Sequence, residues 1–234
     1  MKLSIVIPFY NEENMIQKMY DALVAEVNKI TKAEFEIIFI NDGSKDRTFE
    51  KMLAIANSDS RVKYISFSRN FGKEAGTIAG LEYATGEAVI LMDGDLQHPP
   101  ALLPQMIEAY EQGYDVVSAR RTRTGEKPHR TFLAKHFYRL ANKMMDIELM
   151  DGVSEFRLFS RKAVRAILSL QEYNRFSKGI FSWIGFKEKV IEYENQVRTV
   201  GETKYSLKFS LNYAIQGILS FNDKPLRMCI NFGL

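Results

Sequence analysis

Residues 3–9 read LSIVIPF, and this uninterrupted apolar run is typical of a β-strand buried on both faces of a sheet. From about residue 13 to residue 32, apolar side chains then recur every three or four positions, which is the spacing of an amphipathic helix. Further strands are predicted at residues 35–40, 62–67, 88–92 and 114–118, and further helices at residues 46–57, 73–84 and 99–112. Strands and helices that alternate with short loops predict an open α/β sheet of mainly parallel strands, flanked by helices.

The pattern changes after residue 120. The next elements predicted are a polar loop at 122–128, a basic helix at 130–145, strands at 156–159 and 187–193, and helices at 161–170 and 176–183. Residues 206–221 place apolar side chains on one helical face, at Leu207, Leu211, Ala214, Ile215, Ile218 and Leu219. Such a helix either packs on the sheet or lies at a membrane interface, and its periodicity alone favours neither.

The composition excludes several classes of protein. The 234 residues are 46% hydrophobic and 26% charged, which allows a sizeable core and excludes a disordered or collagen-like chain. The single cysteine, Cys229, excludes an internal disulfide framework and a cysteine-rich metal site. The sequence contains no run of eighteen apolar residues and no signal-peptide pattern at its start. Composition alone therefore predicts a soluble globular protein of the cytosol.

Positive charge is concentrated in one segment. Residues 120–143 carry eight basic side chains and one acidic side chain, which gives the segment a net charge of +7. Because the whole chain carries +3, the remainder carries −4. A total so close to neutral does not indicate a nucleic-acid-binding protein. The segment itself is either a solvated surface or a binding surface for an anionic partner.

Three polar clusters follow predicted strands, at the edge where open α/β sheets bind ligands. They are PFYNEE (8–13), NDGSKD (41–46) and DGDLQ (93–97). Asp93 and Asp95 offer carboxylate ligands for Mg²⁺ or Mn²⁺, which would also bind diphosphate oxygens, and Asp42 offers acceptors to a nucleoside. Turn formation is the alternative for Asp93 and Asp95. For the cluster around Asp42 the alternative is capping of the next helix by Ser44 or Asp46.

Other site motifs are missing from the sequence. It has neither a G-x-G-x-x-G stretch after a strand nor a G-x-x-x-x-G-K-[ST] stretch, so dinucleotide and Walker-type phosphate binding have no support. The three histidines are not spaced as zinc ligands. Ser44 lies outside any G-x-S-x-G setting, so nothing indicates a serine hydrolase.

The motifs, taken in order, resemble those of the family 2 glycosyltransferases of GT-A fold. Within that family they resemble the polyprenyl-phosphate branch, which includes bactoprenol glucosyltransferases and dolichyl-phosphate mannose synthases. The matching stretches are SIVIPFYNEE (4–13), NDGSKDRT (41–48), SRNFGKEAGTIAGLEYATGE (68–87), ILMDGDLQHPP (90–100), GYDVVSARRTRTGE (113–126), FYRLANKM (137–144), EFRLFSRKAV (155–164), WIGF (183–186), VRTVGETKYSL (197–207) and SFNDKPLR (220–227). They cover nearly the whole chain in family order, and as an ordered set they are highly specific.

The resemblance implies a role for each matching site residue. The nucleotide pocket would be lined by Pro8, Tyr10, Glu12, Asp42, Lys73 and Asp93. The catalytic residues would be Asp93, Asp95, Glu155 and Arg157, with Asp95 as the main ligand of a Mg²⁺ or Mn²⁺ ion. The acceptor or its phosphate would be contacted by Gln97, Arg130, Arg157, Arg198 and Lys204.

The sequence departs from the family pattern at two positions. Gly94 stands where the branch often has alanine, a small change that we expect to leave the carboxylates undisturbed. Glu155 stands where family members commonly have an aspartate that is considered catalytic. Glutamate keeps the charge but adds one methylene, so its reach differs by about one carbon–carbon bond.

The resemblance implies an inverting transfer of a sugar from a nucleotide sugar to polyprenyl (undecaprenyl) phosphate at the cytoplasmic face of a bacterial membrane. UDP-glucose is the first expectation for the donor, followed by UDP-N-acetylglucosamine and GDP-mannose. Residues 1–205 would form the catalytic domain, and residues 206–234 a juxtamembrane amphipathic helix and the start of a transmembrane region. These 234 residues would then bind the membrane peripherally, and a chain that continues into transmembrane helices would be anchored. Homo-oligomerisation is left open.

The expected acceptor constrains the mechanism. A phosphate monoester has its second pKa near 6, so the nucleophile is already mostly ionised at pH 7 and a strong general base is less necessary. We therefore expect Glu155 to position the acceptor or the metal. Three other functions stay open: transfer to a soluble sugar or polysaccharide, nucleotide-sugar binding without turnover, and nucleotidyl transfer from a nucleoside triphosphate.

Overall fold

The computed structural model describes residues 1–122, 150–172 and 175–194, together with isolated positions between 142 and 147 and between 217 and 233. Within them the strands are β1 (Lys2–Phe9), β2 (Glu34–Asn41), β3 (Val62–Ser66), β4 (Ala88–Leu91), β5 (Val116–Arg121), β6 (Val153–Ser160) and β7 (Glu188–Tyr193). The α-helices are α1 (Ile16–Val27), α2 (Thr48–Ser58), α3 (Lys73–Tyr83), α4 (Leu103–Glu111), α5 (Arg161–Ser169) and α6 (Ser177–Trp183), and a short 3₁₀ helix (Pro100–Leu102) precedes α4.

These strands form one open sheet in the order β3-β2-β1-β4-β6-β5-β7. All neighbouring pairs are parallel except those of β6, which runs antiparallel to both β4 and β5. The predicted mainly parallel α/β sheet is thus confirmed. Because β6 is reversed, its first residues lie at the same edge as the last residues of the other strands.

The sheet separates two hydrophobic cores. On one face, α1, α2 and α4 bury apolar side chains such as Met19, Met52 and Met106 against the sheet. On the other face, α3, α5 and α6 contribute Leu81, Val164, Phe181 and their neighbours. The central strands are apolar on both faces because both are covered, as the uninterrupted run at residues 3–9 predicts.

Several elements differ from their predicted bounds. The first helix is shorter than the predicted 13–32, because turns enclose it: the amide of Met15 bonds to Glu12 O at 2.9 Å, and that of Ile30 bonds to Val27 O at 3.1 Å. Ile30 nevertheless remains buried, so the apolar spacing continues one turn beyond the helix. The fifth strand begins at Val116, two residues later than predicted.

Parts of two predicted helices lie outside the described residues. Most of the basic helix predicted at 130–145 and most of the amphipathic helix predicted at 206–221 cannot be compared with the structure. In the latter, Phe221 is described, and its ring lies 6.4 Å from that of Phe176 between centroids. Within the described part of the chain, no helix is both long and apolar enough to cross a membrane.

Candidate active site

The three predicted polar clusters come together at one edge of the sheet. Strands β1, β2 and β4 are adjacent and parallel, so the loops that follow them leave the sheet side by side. Pro8 is the penultimate residue of β1, and Tyr10 and Glu12 follow the strand; all three side chains are half-buried at this edge. The structure therefore places the expected nucleotide-pocket residues of the first cluster next to those of the second.

Hydrogen bonds join the loops after β1 and β2. The backbone amide of Asn11 donates to Ser44 Oγ at 3.0 Å, and the amide of Lys45 donates to Asn11 Oδ1 at 2.8 Å. Asp46 accepts hydrogen bonds from the amides of Thr48, at the start of α2, and of Glu13. The N-cap residue is Arg47, so neither expected residue occupies that position; Asp46 accepts the first amide of α2, and Ser44 bonds to the neighbouring loop. Hydrogen bonds therefore hold the two loops together.

Asp42 organises a third loop, which leads into α3. Its side chain is buried, and its two carboxylate oxygens accept hydrogen bonds from the amides of Phe71 (2.7 Å) and Gly72 (3.0 Å). Burial raises the pKa of Asp42, and these two hydrogen bonds only partly offset that effect. Gly43 has a φ of +63°, and a side chain there would collide with the backbone of Arg69. The Asp-Gly pair therefore holds the segment before Lys73, while the predicted contact of Asp42 with a nucleoside stays a prediction.

Asp93 lies between two nitrogen-bearing side chains. Its Oδ1 is 2.6 Å from Lys73 Nζ, and its Oδ2 is 3.4 Å from His98 Nε2. Burial alone would raise the pKa of Asp93, but Lys73 and His98 outweigh burial and hold it well below its usual range. Asp93 is therefore a fixed carboxylate that stays ionised throughout the neutral range.

His98 and Tyr193 were not among the residues predicted for the site. His98 Nδ1 is 2.7 Å from the Tyr193 hydroxyl, and both residues are buried. His98 belongs to the same motif as Asp93, so its position in sequence was a usable signal. Tyr193 is 95 positions away at the end of β7, and nothing in the sequence connects it to the motif.

Asp95 sits on a strained turn. Its Oδ1 accepts a hydrogen bond from the amide of Gln97 at 3.1 Å, and Leu96 between them has a φ of +59°. The other non-glycine residue with a positive φ in the described chain is Asn11, in the loop after β1. A left-handed conformation costs roughly 1–3 kcal/mol at a residue such as Leu96, whereas asparagine adopts it more readily. Both non-glycine residues with a positive φ in the described chain therefore lie at this edge.

The ring of Phe9 leaves no room for a side chain at Gly94. A side chain at this position would collide with the ring of Phe9, which is buried and packs edge-on against Phe39 at 5.4 Å between centroids. Alanine would therefore not fit at this position of the chain, and the expectation that the change to glycine leaves the carboxylates undisturbed stays a prediction. In this chain, the ring of Phe9 occupies the space that a side chain at position 94 would need.

Glu155 and Arg157 reach the same edge on β6. Arg157 pairs with Leu91, so the residues that precede it in this antiparallel strand lie beyond the end of β4, towards Asp93. Glu155 is half-buried there. The Arg157 side chain is only 6% exposed, its Nη1 is 3.6 Å from Glu188 Oε1, and its guanidinium lies 5.2 Å from the Phe181 ring centroid. These contacts fix Arg157 within the sheet, and its predicted contact with phosphate stays a prediction.

The carboxylates fit a metal only in combination with another ligand. Among the described residues, no three His, Cys, Asp or Glu side chains are grouped so that they could hold a metal ion. Mg²⁺ is commonly bound through one or two carboxylates together with substrate phosphates. Asp95 on its turn suits that arrangement, with diphosphate oxygens completing the coordination. Three predicted residues, Arg130, Arg198 and Lys204, lie outside the described residues.

Comparisons with known proteins agree on one family. The family model described as glycosyl transferase family 2 matches residues 4–168. CsbB of Bacillus subtilis (strain 168), which is named as a glycosyltransferase, is 50% identical over 232 residues, covering 99% of this chain and 70% of that protein. A bactoprenol glucosyl transferase of Shigella phage SfX is 43% identical over 235 residues, covering 100% of this chain and 77% of that protein.

Solved structures share the fold. A mannosyltransferase from Pyrobaculum calidifontis, in complex with GDP-Man and Mn²⁺, matches with a TM-score of 0.59 at 18% identity over 81% of this chain and 54% of that one. Glucosyl-3-phosphoglycerate synthase from Mycobacterium tuberculosis, in complex with Mn²⁺, UDP-Glc and phosphoglyceric acid, matches with a TM-score of 0.59 at 18% identity over 93% of this chain and 77% of that one. Identities this low show similarity of fold alone.

Proposed function

The chain belongs to glycosyl transferase family 2 and is a glycosyltransferase of GT-A-like fold, and from that premise we propose that it transfers a sugar from a nucleotide sugar to a polyprenyl phosphate. The observation that carries the proposal is the turn from Asp93 to Asp95. It holds one ionised carboxylate beside Lys73 and a second carboxylate on a strained bend, at the ligand-binding edge of the sheet. Such a pair suits a metal-assisted departure of a nucleoside diphosphate.

The donor side of the site is assembled from the described loops. Pro8, Tyr10 and Glu12 line the edge beside Asp42, in keeping with a pocket for base and ribose. A Mg²⁺ or Mn²⁺ ion on Asp95 would neutralise charge on the leaving diphosphate. UDP-glucose is the first donor to test, because the relatives named above include a bactoprenol glucosyl transferase. UDP-N-acetylglucosamine and GDP-mannose follow.

The acceptor proposal rests on the charge of the chain and on the names of its relatives. A polyprenyl phosphate brings a second anion to a site that already holds a diphosphate, so cationic side chains are needed around both. Residues 120–143 carry a net charge of +7, and this segment begins at the carboxyl end of β5, on the same edge as the carboxylates. We propose that the segment binds the lipid phosphate and the anionic surface of the membrane, at the cytoplasmic face where nucleotide sugars are available.

Glu155 has a positioning role in this proposal. Because the acceptor phosphate is mostly ionised at pH 7, no proton has to be removed before it attacks. Attack from the side opposite the diphosphate inverts the anomeric centre. Glu155 lies at the start of β6, where a carboxylate can orient the acceptor or the metal. A Glu155→Gln variant should therefore lose activity without acquiring a steep pH dependence.

The test is a transfer assay with Mn²⁺, undecaprenyl phosphate and a panel of radiolabelled nucleotide sugars. Label should enter the organic phase with one donor, and Asp95→Asn should reduce that transfer at least about a hundredfold. Asp21→Asn, a matched change on the exposed side of α1, should leave transfer unchanged.

Other outcomes would contradict specific parts of the proposal. Label that moves only into an added soluble saccharide would show that the acceptor is wrong. Binding of a nucleotide sugar without turnover, in membranes that contain the protein and undecaprenyl phosphate, would show that the chain binds its donor but is not a transferase for this acceptor.

A further inference from the structure

His98 is a buried side chain whose two ring nitrogens both face polar groups. It is 7% exposed and lies between the rings of Phe156 and Tyr193, with centroids at 5.9 and 6.1 Å. Nε2 faces Asp93 Oδ2 at 3.4 Å, and Nδ1 faces the Tyr193 hydroxyl at 2.7 Å. Burial requires partners for both ring nitrogens, and here the two partners are a site carboxylate and the side chain of a distant strand.

The direction of these contacts follows from the protonation of Tyr193. Burial raises the pKa of Tyr193 and outweighs the hydrogen bond with Ser154 and the charge of Arg121, which lower it. The phenol therefore keeps its proton and can donate it to His98 Nδ1. In that arrangement the hydrogen of a neutral imidazole is on Nε2, the nitrogen that faces Asp93.

The two oxygens of Asp93 are then held from different parts of the fold. Lys73, the first residue of α3, is 2.6 Å from Oδ1, while His98 approaches Oδ2 from the loop after β4. Contacts on both oxygens fix the plane of the carboxylate as well as its position. The second contact restricts rotation of the carboxylate about its bond to Cβ more than Lys73 alone would.

We propose that His98 and Tyr193 are positioning residues, which hold the Asp93 carboxylate in the orientation that nucleotide-sugar binding requires. Tyr193 acts through His98: its hydroxyl fixes the tautomer, and its place at the end of β7 anchors the imidazole to the sheet. This inference rests on the proposed function, because it assigns Asp93 to the donor site. At metal sites, removing a residue that orients a ligand through a hydrogen bond typically costs about 10- to 100-fold in metal affinity or activity, and we expect a loss of similar size here.

Three variants separate positioning from packing. His98→Leu fills the space but removes both nitrogens, so it should weaken binding of the nucleoside diphosphate with Mn²⁺ by about tenfold. His98→Gln can place a nitrogen donor near the position of Nε2 and should restore most of that affinity. Tyr193→Phe should also weaken nucleotide binding, but by less than His98→Leu does. In the double variant it should cause no further loss of affinity, because Tyr193 acts through His98.

The measurement is calorimetric titration of UDP and of GDP in the presence of Mn²⁺, accompanied by thermal unfolding of each variant. Tyr110→Phe is the matched control, since Tyr110 lies on α4 at the opposite edge and bonds to Glu87 O. In the transfer assay, His98→Leu should raise KM for the donor more than it lowers kcat. A melting temperature close to that of the wild type would show that the fold is intact.

The outcomes distinguish failure of the positioning role from failure of the proposed function. If the wild-type protein binds UDP or GDP and His98→Leu and Tyr193→Phe bind it equally well, the positioning role is wrong and the proposed function is unaffected. If His98→Gln binds the nucleotide as weakly as His98→Leu, the nitrogen donor that faces Asp93 does not account for the loss of affinity, and the inference also fails. If the wild-type protein binds neither nucleotide, the proposed function fails and this inference fails with it.

Discussion

Glu36 is a buried carboxylate far from the candidate site. It points to the opposite edge of the sheet, where its side chain is 4% exposed and its Oε2 is 2.8 Å from Lys63 Nζ. Its Oε1 accepts hydrogen bonds from Ser4 Oγ and from the amide of Thr85, both at 2.5 Å. Burial alone would raise the pKa of Glu36, but these partners lower it from 4.5 to about 2.

This shift predicts a pH-dependent contribution to stability. Because the folded pKa lies below the unfolded value, ionised Glu36 stabilises the fold above about pH 4.5, and the contribution is lost as the pH falls towards about 2. Glu36→Gln should lower the free energy of unfolding at pH 7 by up to about 3 kcal/mol, and by less at pH 3. Urea unfolding at both pH values measures this. Glu34→Gln, an exposed change at the start of the same strand, should have little effect, and a pH-independent loss in Glu36→Gln would contradict the prediction.

Gly94 and Phe9 should be coupled energetically. Gly94→Ala places a methyl group against the buried Phe9 ring and should destabilise the protein by about 1–3 kcal/mol, with weaker nucleotide binding because the turn is displaced. Phe9→Leu in the same chain should relieve the collision. A double-mutant cycle in urea should therefore show a favourable coupling of at least about 1 kcal/mol. Phe35→Leu, another buried ring at the far end of β2, is the control and should combine additively with Gly94→Ala.

The site residues differ in how readily sequence reveals them. Asp93 and Asp95 stand out because polar residues directly after a buried strand have no packing role to explain them. His98 stands between polar residues and two prolines, where a histidine could equally fill a turn. Its function depends on Tyr193, which the fold brings close from 95 positions away, and one sequence contains no signal for that contact.

Helix α3 contains two glycines one turn apart whose surroundings differ. A methyl group at Gly76 would meet Ile40 Cγ2 at 3.4 Å and Pro8 Cβ at 3.5 Å, which are ordinary contacts. A methyl group at Gly80 would collide with the branched side chain of Val6. Gly76→Ala should therefore stabilise the protein by about 0.5–1 kcal/mol through helix propensity, whereas Gly80→Ala should destabilise it by about 1–2 kcal/mol.

Thermal and urea unfolding of the two variants test this prediction. Each variant is the control for the other, because the substitution and the helix are the same and only the facing strand residue differs. Equal effects would show that helix propensity, and not the close approach of α3 to β1, determines the result.

At the level of elements, the parallel half of the sheet could be predicted and the reversed strand could not. Buried strands alternate with amphipathic helices up to residue 120, and that alternation implies parallel neighbours. Strand β6 has the same apolar character as a parallel strand, and its direction depends on which strands it pairs with. It joins the sheet between β4 and β5, so its first residues bring Glu155 to the edge that carries Asp93.

Positive and negative charges are concentrated in different segments of the chain. The acidic side chains of the described site lie at one edge of the sheet, while the net charge of +7 is concentrated in residues 120–143. The proposed transfer from a nucleotide sugar to a lipid phosphate would use both features, because a metal on the diphosphate requires carboxylates and the second anion requires cations. Near an anionic bilayer, each Lys or Arg contributes about 1 kcal/mol of attraction. The same segment would therefore draw the protein to the surface that holds its acceptor.

The membrane prediction can be tested with vesicles alone. The protein should sediment with phosphatidylglycerol vesicles and not with phosphatidylcholine vesicles, and binding should weaken as salt is raised from about 0.05 to 0.5 M, because salt screens exposed charges. Neutralising Arg130, Lys135 and Arg139 together by glutamine should cost about 3 kcal/mol, or roughly a hundredfold in affinity. A matched variant that neutralises exposed cations elsewhere, at Lys18, Lys29 and Arg165, should bind almost as well as the wild type. Equal losses in the two variants would show that net charge alone attracts the protein, and binding to neutral vesicles at high salt would show that apolar insertion dominates.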